Sequence, residues 1–234
     1  PGKYIGPFDN SDNWWSSFEK LLPFFRRVEF AGGEPLMDPY HYKILDRLAE
    51  YGENIEIKYA TNGTTLGIKG GRTIHDYWPK FKSVAVNVSI DGLHDTYEYI
   101  RGNGKFSEVE ENVKIFKSFP NVSRVVGAFT VQANNIMQIC DVIDYFLNDM
   151  GIVFYSHRVN YPMSLSAQVV PPELKEKVLS LSLEIEMPPA PIREEIFDLL
   201  FDTSFKKLYP IQVSAIIEVT EDGHGFLLQE KDNY

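Results

Sequence analysis

The residues best suited to chemistry stand in one short run, Ala31-Gly32-Gly33-Glu34-Pro35-Leu36, directly behind the alternating stretch Val28-Glu29-Phe30. Two adjacent glycines let a chain turn sharply and bring bare backbone up to a ligand. A carboxylate follows at once, and Pro35 stiffens the exit. Such a strand end can offer carbonyls and one acid to a small cation, for example the ammonium of an amino acid. Later apolar runs also end in polar groups: Thr61-Asn62-Gly63-Thr64, Ser89-Ile90-Asp91-Gly92, Thr130-Val131-Gln132 with Asn134 and Asn135, and Asn160. Tyr99-Ile100-Arg101-Gly102 adds a guanidinium, whose forked donors suit a carboxylate. A zwitterion needs one acid and one base, and a diol needs acceptors.

Each of these stretches has a plainer reading. Gly-Gly-Glu-Pro also makes an ordinary strand-to-helix turn, Thr61-Asn62-Gly63 is a common turn, Asp91 can cap the next segment, and Arg101 can sit in a surface ion pair. The five histidines, His41, His75, His94, His157 and His224, show no metal-binding spacing, and no nucleophilic triad is legible. The single cysteine, Cys140, lies on an apolar helical stripe, where it reads as a buried free thiol. One cysteine allows no internal disulfide and fits a reducing compartment, so a cytoplasmic location is expected.

The elements that must position these groups alternate. Val28–Phe30 ends a first strand, and Asp38-Pro39 opens a helix with the acid as N-cap and proline at the first helical position. Ile55–Ala60, Val84–Ile90, Arg124–Val131 and Ile152–Tyr155 read as further strands. Helices are expected around Trp14–Leu22, near Ile74–Trp78, after Ser107 (with Glu110 completing a capping box) and over Ile136–Leu147. Strands spaced by helices in this way imply a parallel α/β architecture, in which ligands lie at the carboxyl ends of the strands. Beyond Pro171 the pattern changes: Pro171-Pro172-Glu173 starts a helix, Pro188-Pro189-Ala190-Pro191 separates it from a second one running to Leu208, and Ile211–Glu218 and Phe226–Leu228 read as a hairpin about the Asp222-Gly223-His224-Gly225 turn. Residues 1–165 and 166–234 are the expected divisions.

Length and charge bound the partners. An apolar content of 44% leaves ample material for a core, and the formal charge of −10 argues against nucleic acid or an acidic membrane surface as the main partner. No apolar run approaches the length of a membrane span, and no basic-then-apolar leader opens the chain.

Four stretches in one order resemble the radical S-adenosylmethionine (SAM) superfamily, in particular its members with a twitch-type C-terminal extension. They are Phe30-Ala31-Gly32-Gly33-Glu34-Pro35-Leu36-Met37, Thr61-Asn62-Gly63-Thr64, Ser89-Ile90-Asp91-Gly92 and Tyr97-Glu98-Tyr99-Ile100-Arg101-Gly102. Val159-Asn160-Tyr161-Pro162, followed by Val170-Pro171-Pro172-Glu173, is similar to the family's last barrel strand and its exit. The resemblance implies a partial (β/α)6 TIM-like barrel that binds SAM and a [4Fe-4S] cluster, and reductive cleavage of SAM to a 5′-deoxyadenosyl radical that abstracts hydrogen from a substrate, a peptide or protein being one candidate. It implies that Gly32, Gly33 and Glu34, with Pro35 and the Thr61-Asn62 turn beside them, hold the methionine ammonium. By the same resemblance Ser89 and Asp91 serve the ribose hydroxyls, Arg101 the methionine carboxylate, and Asn134 or Asn135 with Asn160 the ribose and adenine.

One departure is severe. The family's cluster needs three thiolates in a C-x3-C-x2-C loop ahead of the glycine-rich motif, and this chain has none there. The expectation is that the first strand and cysteine loop precede Pro1 in a longer parent, and that the chain by itself lacks activity. The alternatives are a cluster-less relative that binds a nucleoside or a partner, and an unrelated parallel α/β enzyme.

Overall fold

The computed structural model describes residues 12–102, 104–159, 162–184, 215–219 and 226–230. Five strands, β1 (Arg27–Phe30), β2 (Glu56–Thr61), β3 (Ser83–Ser89), β4 (Val122–Val131) and β5 (Val153–Arg158), form one parallel sheet in the order β1-β2-β3-β4-β5. Sequential order without a reversal is the winding of a barrel, not of a doubly wound sheet. Each crossover turns in the same right-handed sense, so every intervening helix lands on the same side. The architecture is therefore a partial TIM-like α/β sheet; the alternation in the sequence implies its parallel α/β order, and the family resemblance its barrel-like winding.

The helices are α1 (Asp12–Leu21), α2 (Pro39–Leu48), α3 (Ile74–Tyr77), α4 (His94–Arg101), α5 (Phe106–Ser118), α6 (Ile139–Asp144) and α7 (Pro172–Glu184). Strand residues pointing toward them make the core: Ile57 and Tyr59, then Val84, Val86 and Val88, then Val125, Phe129 and Val131. Leu45 and Leu48 of α2, Val109, Val113 and Phe116 of α5, and Ile139 and Ile143 of α6 close over them. Gly127 shows how tightly. A Cβ there would stand 2.4 Å from the ring of Phe146, so only glycine lets that helix approach the sheet.

Local chemistry explains several boundaries. Asp38 accepts a bond from the Tyr40 amide at 2.8 Å, with Pro39 next to it, as expected of the opening of α2. The expected box at Ser107 and Glu110 does not form. Phe106 is buried against Tyr97, His94 and Tyr145, and its packing starts α5 before Ser107, which becomes an internal residue. Glu110 instead accepts the Tyr145 hydroxyl at 2.9 Å. A reciprocal cap appears at α3, where the Asp76 carboxylate accepts the Thr73 amide at 2.8 Å and its hydroxyl at 3.1 Å. The helix expected over 136–147 is irregular: a 3-10 turn (Ile136–Gln138) precedes α6 and a π turn (Tyr145–Asp149) follows it. The C-terminal hairpin forms from β6 (Ala215–Val219) and β7 (Phe226–Glu230), paired antiparallel. The second helix expected to end at Leu208 and the turn at 222–225 lie outside the described residues. Among the described residues no helix is long and apolar enough to cross a membrane.

Candidate functional site

Two hydrogen-bonded nodes stand at the carboxyl ends of the strands. The first joins the exits of β1 and β2. Gly32 and Gly33 have φ of +86° and +58°, and a Cβ on either would meet nothing within 4 Å. Space does not demand glycine there; the left-handed backbone does. That turn delivers Glu34 across to β2, where its carboxylate accepts the Thr61 hydroxyl at 2.8 Å and the Asn62 amide at 2.7 Å. It also accepts the Leu36 amide at 3.1 Å, capping the 3-10 turn that begins at the buried Pro35. A carboxylate offers about four acceptor positions. Three donor groups from within the chain serve it, the Thr61 hydroxyl lying within reach of both oxygens at 2.8 and 2.9 Å, yet no cation pairs with its charge among the described residues.

Thr61 and Asn62 thus serve the acid. Thr61 is buried, and its oxygen also accepts the Gly63 amide at 3.0 Å. The Asn62 side-chain carbonyl accepts both the amide and the hydroxyl of Thr64, at 2.9 and 2.7 Å. The turn is locked by its own side chains.

The second node joins the exits of β3 and β4. Asp91 is buried; one carboxylate oxygen accepts the Thr130 amide at 2.9 Å and the other meets the Arg101 guanidinium at 2.5 Å. Asn135 is 1% exposed and clips the same region. Its amide group donates to the carbonyls of Asp91 and Thr130 at 2.9 and 2.8 Å, and its oxygen accepts the Gln132 amide at 2.9 Å. Gln138 accepts the Leu93 amide at 3.1 Å, adding another tie between the two exits.

The family resemblance assigns Asp91 and Arg101 to different parts of a ligand, whereas the structure couples them to each other. Arg101 nevertheless keeps donors: its Nε–H is buried and without a partner among the described residues. A buried unpaired donor is costly unless something accepts from it, and a ligand carboxylate would. Ser89, half-buried at the end of β3, has no partner among the described residues. Asn134 is exposed while Asn135 is committed to the clip, so Asn134 is the one of the pair left open. Asn160 lies outside the described residues.

A cleft of about 670 Å³ opens beside this region, between the loop after β2 (Thr64, Lys69) and the start of α5 (Glu108, Asn112). It includes none of Gly32, Glu34, Ser89, Asp91 or Arg101. Beneath the first node, His41 bonds the Tyr59 hydroxyl at 2.8 Å, and burial lowers its pKa to about 4. It is a neutral core histidine. Cys140 is buried too, and burial followed by the nearby Asp141 pushes its thiol up to about 11, away from the thiolate that iron needs. Among the described residues no group of three histidines, cysteines or acids could hold a metal ion.

The Radical SAM superfamily model matches residues 18–143, more than half of the chain. The chain belongs to the radical SAM superfamily. Solved structures of other radical SAM proteins resemble it at low identity. A structure of TYW1 with a lysine-pyruvate adduct bound is 16% identical, with a TM-score of 0.44 over 88% of this chain and 57% of that one. Streptococcus suis SuiB bound to S-adenosylmethionine is 16% identical, with a TM-score of 0.48 over 83% and 48%. Archaeal TYW1 is 12% identical, with a TM-score of 0.46 over 98% and 74%. The chain thus spans about half the length of the first two. No curated protein matches.

Radical SAM membership covers both nodes, which lie within the matched residues. It does not supply the thiolates, and the residues present do not fit an iron–sulfur cluster. Sequence reasoning also missed a set of polar side chains on the sheet face away from the helices, namely Glu29, Lys58, Asn87, Arg124 and Tyr155. No motif marks them. Their signal was the alternation within Glu56-Ile57-Lys58-Tyr59-Ala60, since strands buried on both faces read as continuous apolar runs.

Proposed function

We propose that the chain binds SAM across the exits of β1 to β4 and forms the SAM-holding part of a radical SAM enzyme. The observation that carries this reading is the Glu34 carboxylate, fixed by Thr61, Asn62 and Leu36 beside a two-glycine turn, with no cation paired to it among the described residues. Glu34 takes the methionine ammonium there, alongside the carbonyls of the Gly32-Gly33 turn. Arg101, oriented by Asp91, directs its remaining N–H groups at the methionine carboxylate. Ser89 donates to a ribose hydroxyl, and Asn134 serves the adenosine side, a role that the family resemblance also gives to Asn160. SAM, when bound, supplies the hydrogen-abstracting group of this superfamily; these residues bind it, orient it and satisfy its charges. The thiolates of a [4Fe-4S] cluster would have to come from outside these 234 residues, since the chain's single cysteine is buried in the core.

The C-terminal residues from 166 onward, with the β6–β7 hairpin, act in this reading as a twitch-type extension in a cytoplasmic enzyme. The substrate class is a peptide or protein. A second reading, a cluster-less SAM- or nucleoside-binding relative, is favoured by the same buried cysteine. Calorimetric titration with SAM tests the shared part: binding to the wild type that weakens in Glu34→Gln and Arg101→Gln supports the site, and unchanged affinity in both removes it. Anaerobic reconstitution of a longer form carrying the cysteine loop separates the two readings, because only the enzyme releases 5′-deoxyadenosine on reduction.

A further inference from the structure

Helix α4 carries two buried donors that nothing in the free chain satisfies. The Tyr97 hydroxyl and the Arg101 Nε–H are both enclosed and without partners among the described residues. Four positions apart on one helix, their side chains lie on the same face. Gly104 closes over both. A Cβ there would stand 3.2 Å from the Tyr97 hydroxyl oxygen and 3.3 Å from the Arg101 Cβ. It would also press on the tyrosine ring at 3.0 Å, so glycine leaves room around that hydroxyl. The two orphaned groups therefore share one small space at the end of α4, next to the Asp91 node.

Their freedom to move differs. Tyr97 is fully buried, with its ring edge-on to Phe106 at 5.8 Å, so its hydroxyl stays where it is. Burial raises its pKa, Arg101 lowers it, and Asp91 and Glu108 raise it again, which keeps the hydroxyl neutral and able to accept as well as donate. Arg101 has 29% of its side chain exposed and is tied through one Nη nitrogen, to Asp91 at 2.5 Å. Its side chain can turn about that contact. Beside the buried Asp91 charge, a neutral oxygen on Nε costs less than a second anion there. A SAM carboxylate arriving from the open side meets the Nη groups, and its hold depends on how firmly the planar fork is aimed.

We propose that Tyr97 is a positioning residue of the SAM site: with SAM bound, its hydroxyl oxygen accepts the Arg101 Nε–H and aims the Nη groups at the methionine carboxylate. The inference rests on the SAM-binding reading above and gives a role to a side chain that the family resemblance leaves without one.

The test is calorimetric titration of the 234-residue chain with SAM and with decarboxylated SAM, which keeps the adenosine, sulfonium and amine but has no carboxylate. The expected result is that Tyr97→Phe weakens SAM about tenfold and decarboxylated SAM less than about twofold. In an Arg101→Gln background the same change adds no further loss. The urea midpoint of Tyr97→Phe stays at or above that of the wild type, because the hydroxyl has no partner to lose in the free protein. Equal weakening of the two ligands overturns the proposal, since a merely structural role would produce it. A lowered urea midpoint, or losses that add in the double variant, overturns it as well. If Arg101→Gln weakens SAM and Tyr97→Phe does not, this inference falls and the SAM site stands; if the wild type does not bind SAM, both fall.

Discussion

Glu34, proposed to take a ligand ammonium, is already a structural acid. Its three internal donors hold it across β1 and β2, so its orientation is set before any ligand arrives. Glu34→Gln turns one acceptor into a donor that faces donors. A stability loss of about 1–3 kcal/mol is expected by urea unfolding, together with weaker SAM binding. His41 makes a prediction of a different kind. Its folded pKa of about 4 lies below the ordinary value of 6.5, so the unfolded chain binds the proton more tightly. The stabilisation is complete above pH 6.5 and is lost as pH falls toward 4, by about 3 kcal/mol in all. Unfolding free energies measured from pH 7 to pH 4 will show this slope, and His41→Gln will flatten it.

At the scale of elements, the exits of β3 and β4 depend on one buried amide. Asn135→Ala leaves the Gln132 amide and the carbonyls of Asp91 and Thr130 without partners in a buried place. The expected cost is about 2–4 kcal/mol in urea midpoint terms, larger than for an exposed asparagine. A midpoint unchanged from wild type would mean that other groups hold the exits together. The elements also show what a sequence can carry. Asp38-Pro39 was readable because cap and first-turn geometry involve neighbours only. Ser107 and Glu110 failed because Phe106, one residue earlier, finds a buried aromatic cluster that local pattern does not reveal. The Asp91–Arg101 pair was invisible for the same reason: each residue was legible as a charge, but their meeting depends on how α4 returns to the end of β3. Polar motifs at strand ends were legible because a parallel α/β order fixes where such ends collect.

At the scale of the molecule, SAM binding and cluster assembly come apart, and that separation can be measured. A [4Fe-4S] cluster on this superfamily's pattern needs three thiolates, and the chain has one thiol, buried in α6 and held protonated. Anaerobic treatment with iron and sulfide will leave the 234-residue chain without iron–sulfur absorbance, and Cys140→Ser will not alter SAM affinity. On the proposed site SAM would bind only the folded form, so at a hundred times its Kd it would add about 2.7 kcal/mol to stability. For a chain of this length that corresponds to a Tm rise of roughly 5–10 °C. The rise will be absent in the double variant Glu34→Gln/Arg101→Gln, because both charges of the zwitterion then lack their counterparts. A Tm insensitive to SAM in the wild type would sever the strand-end nodes from the cofactor. A cluster forming on the single cysteine would overturn the view that its ligands lie elsewhere.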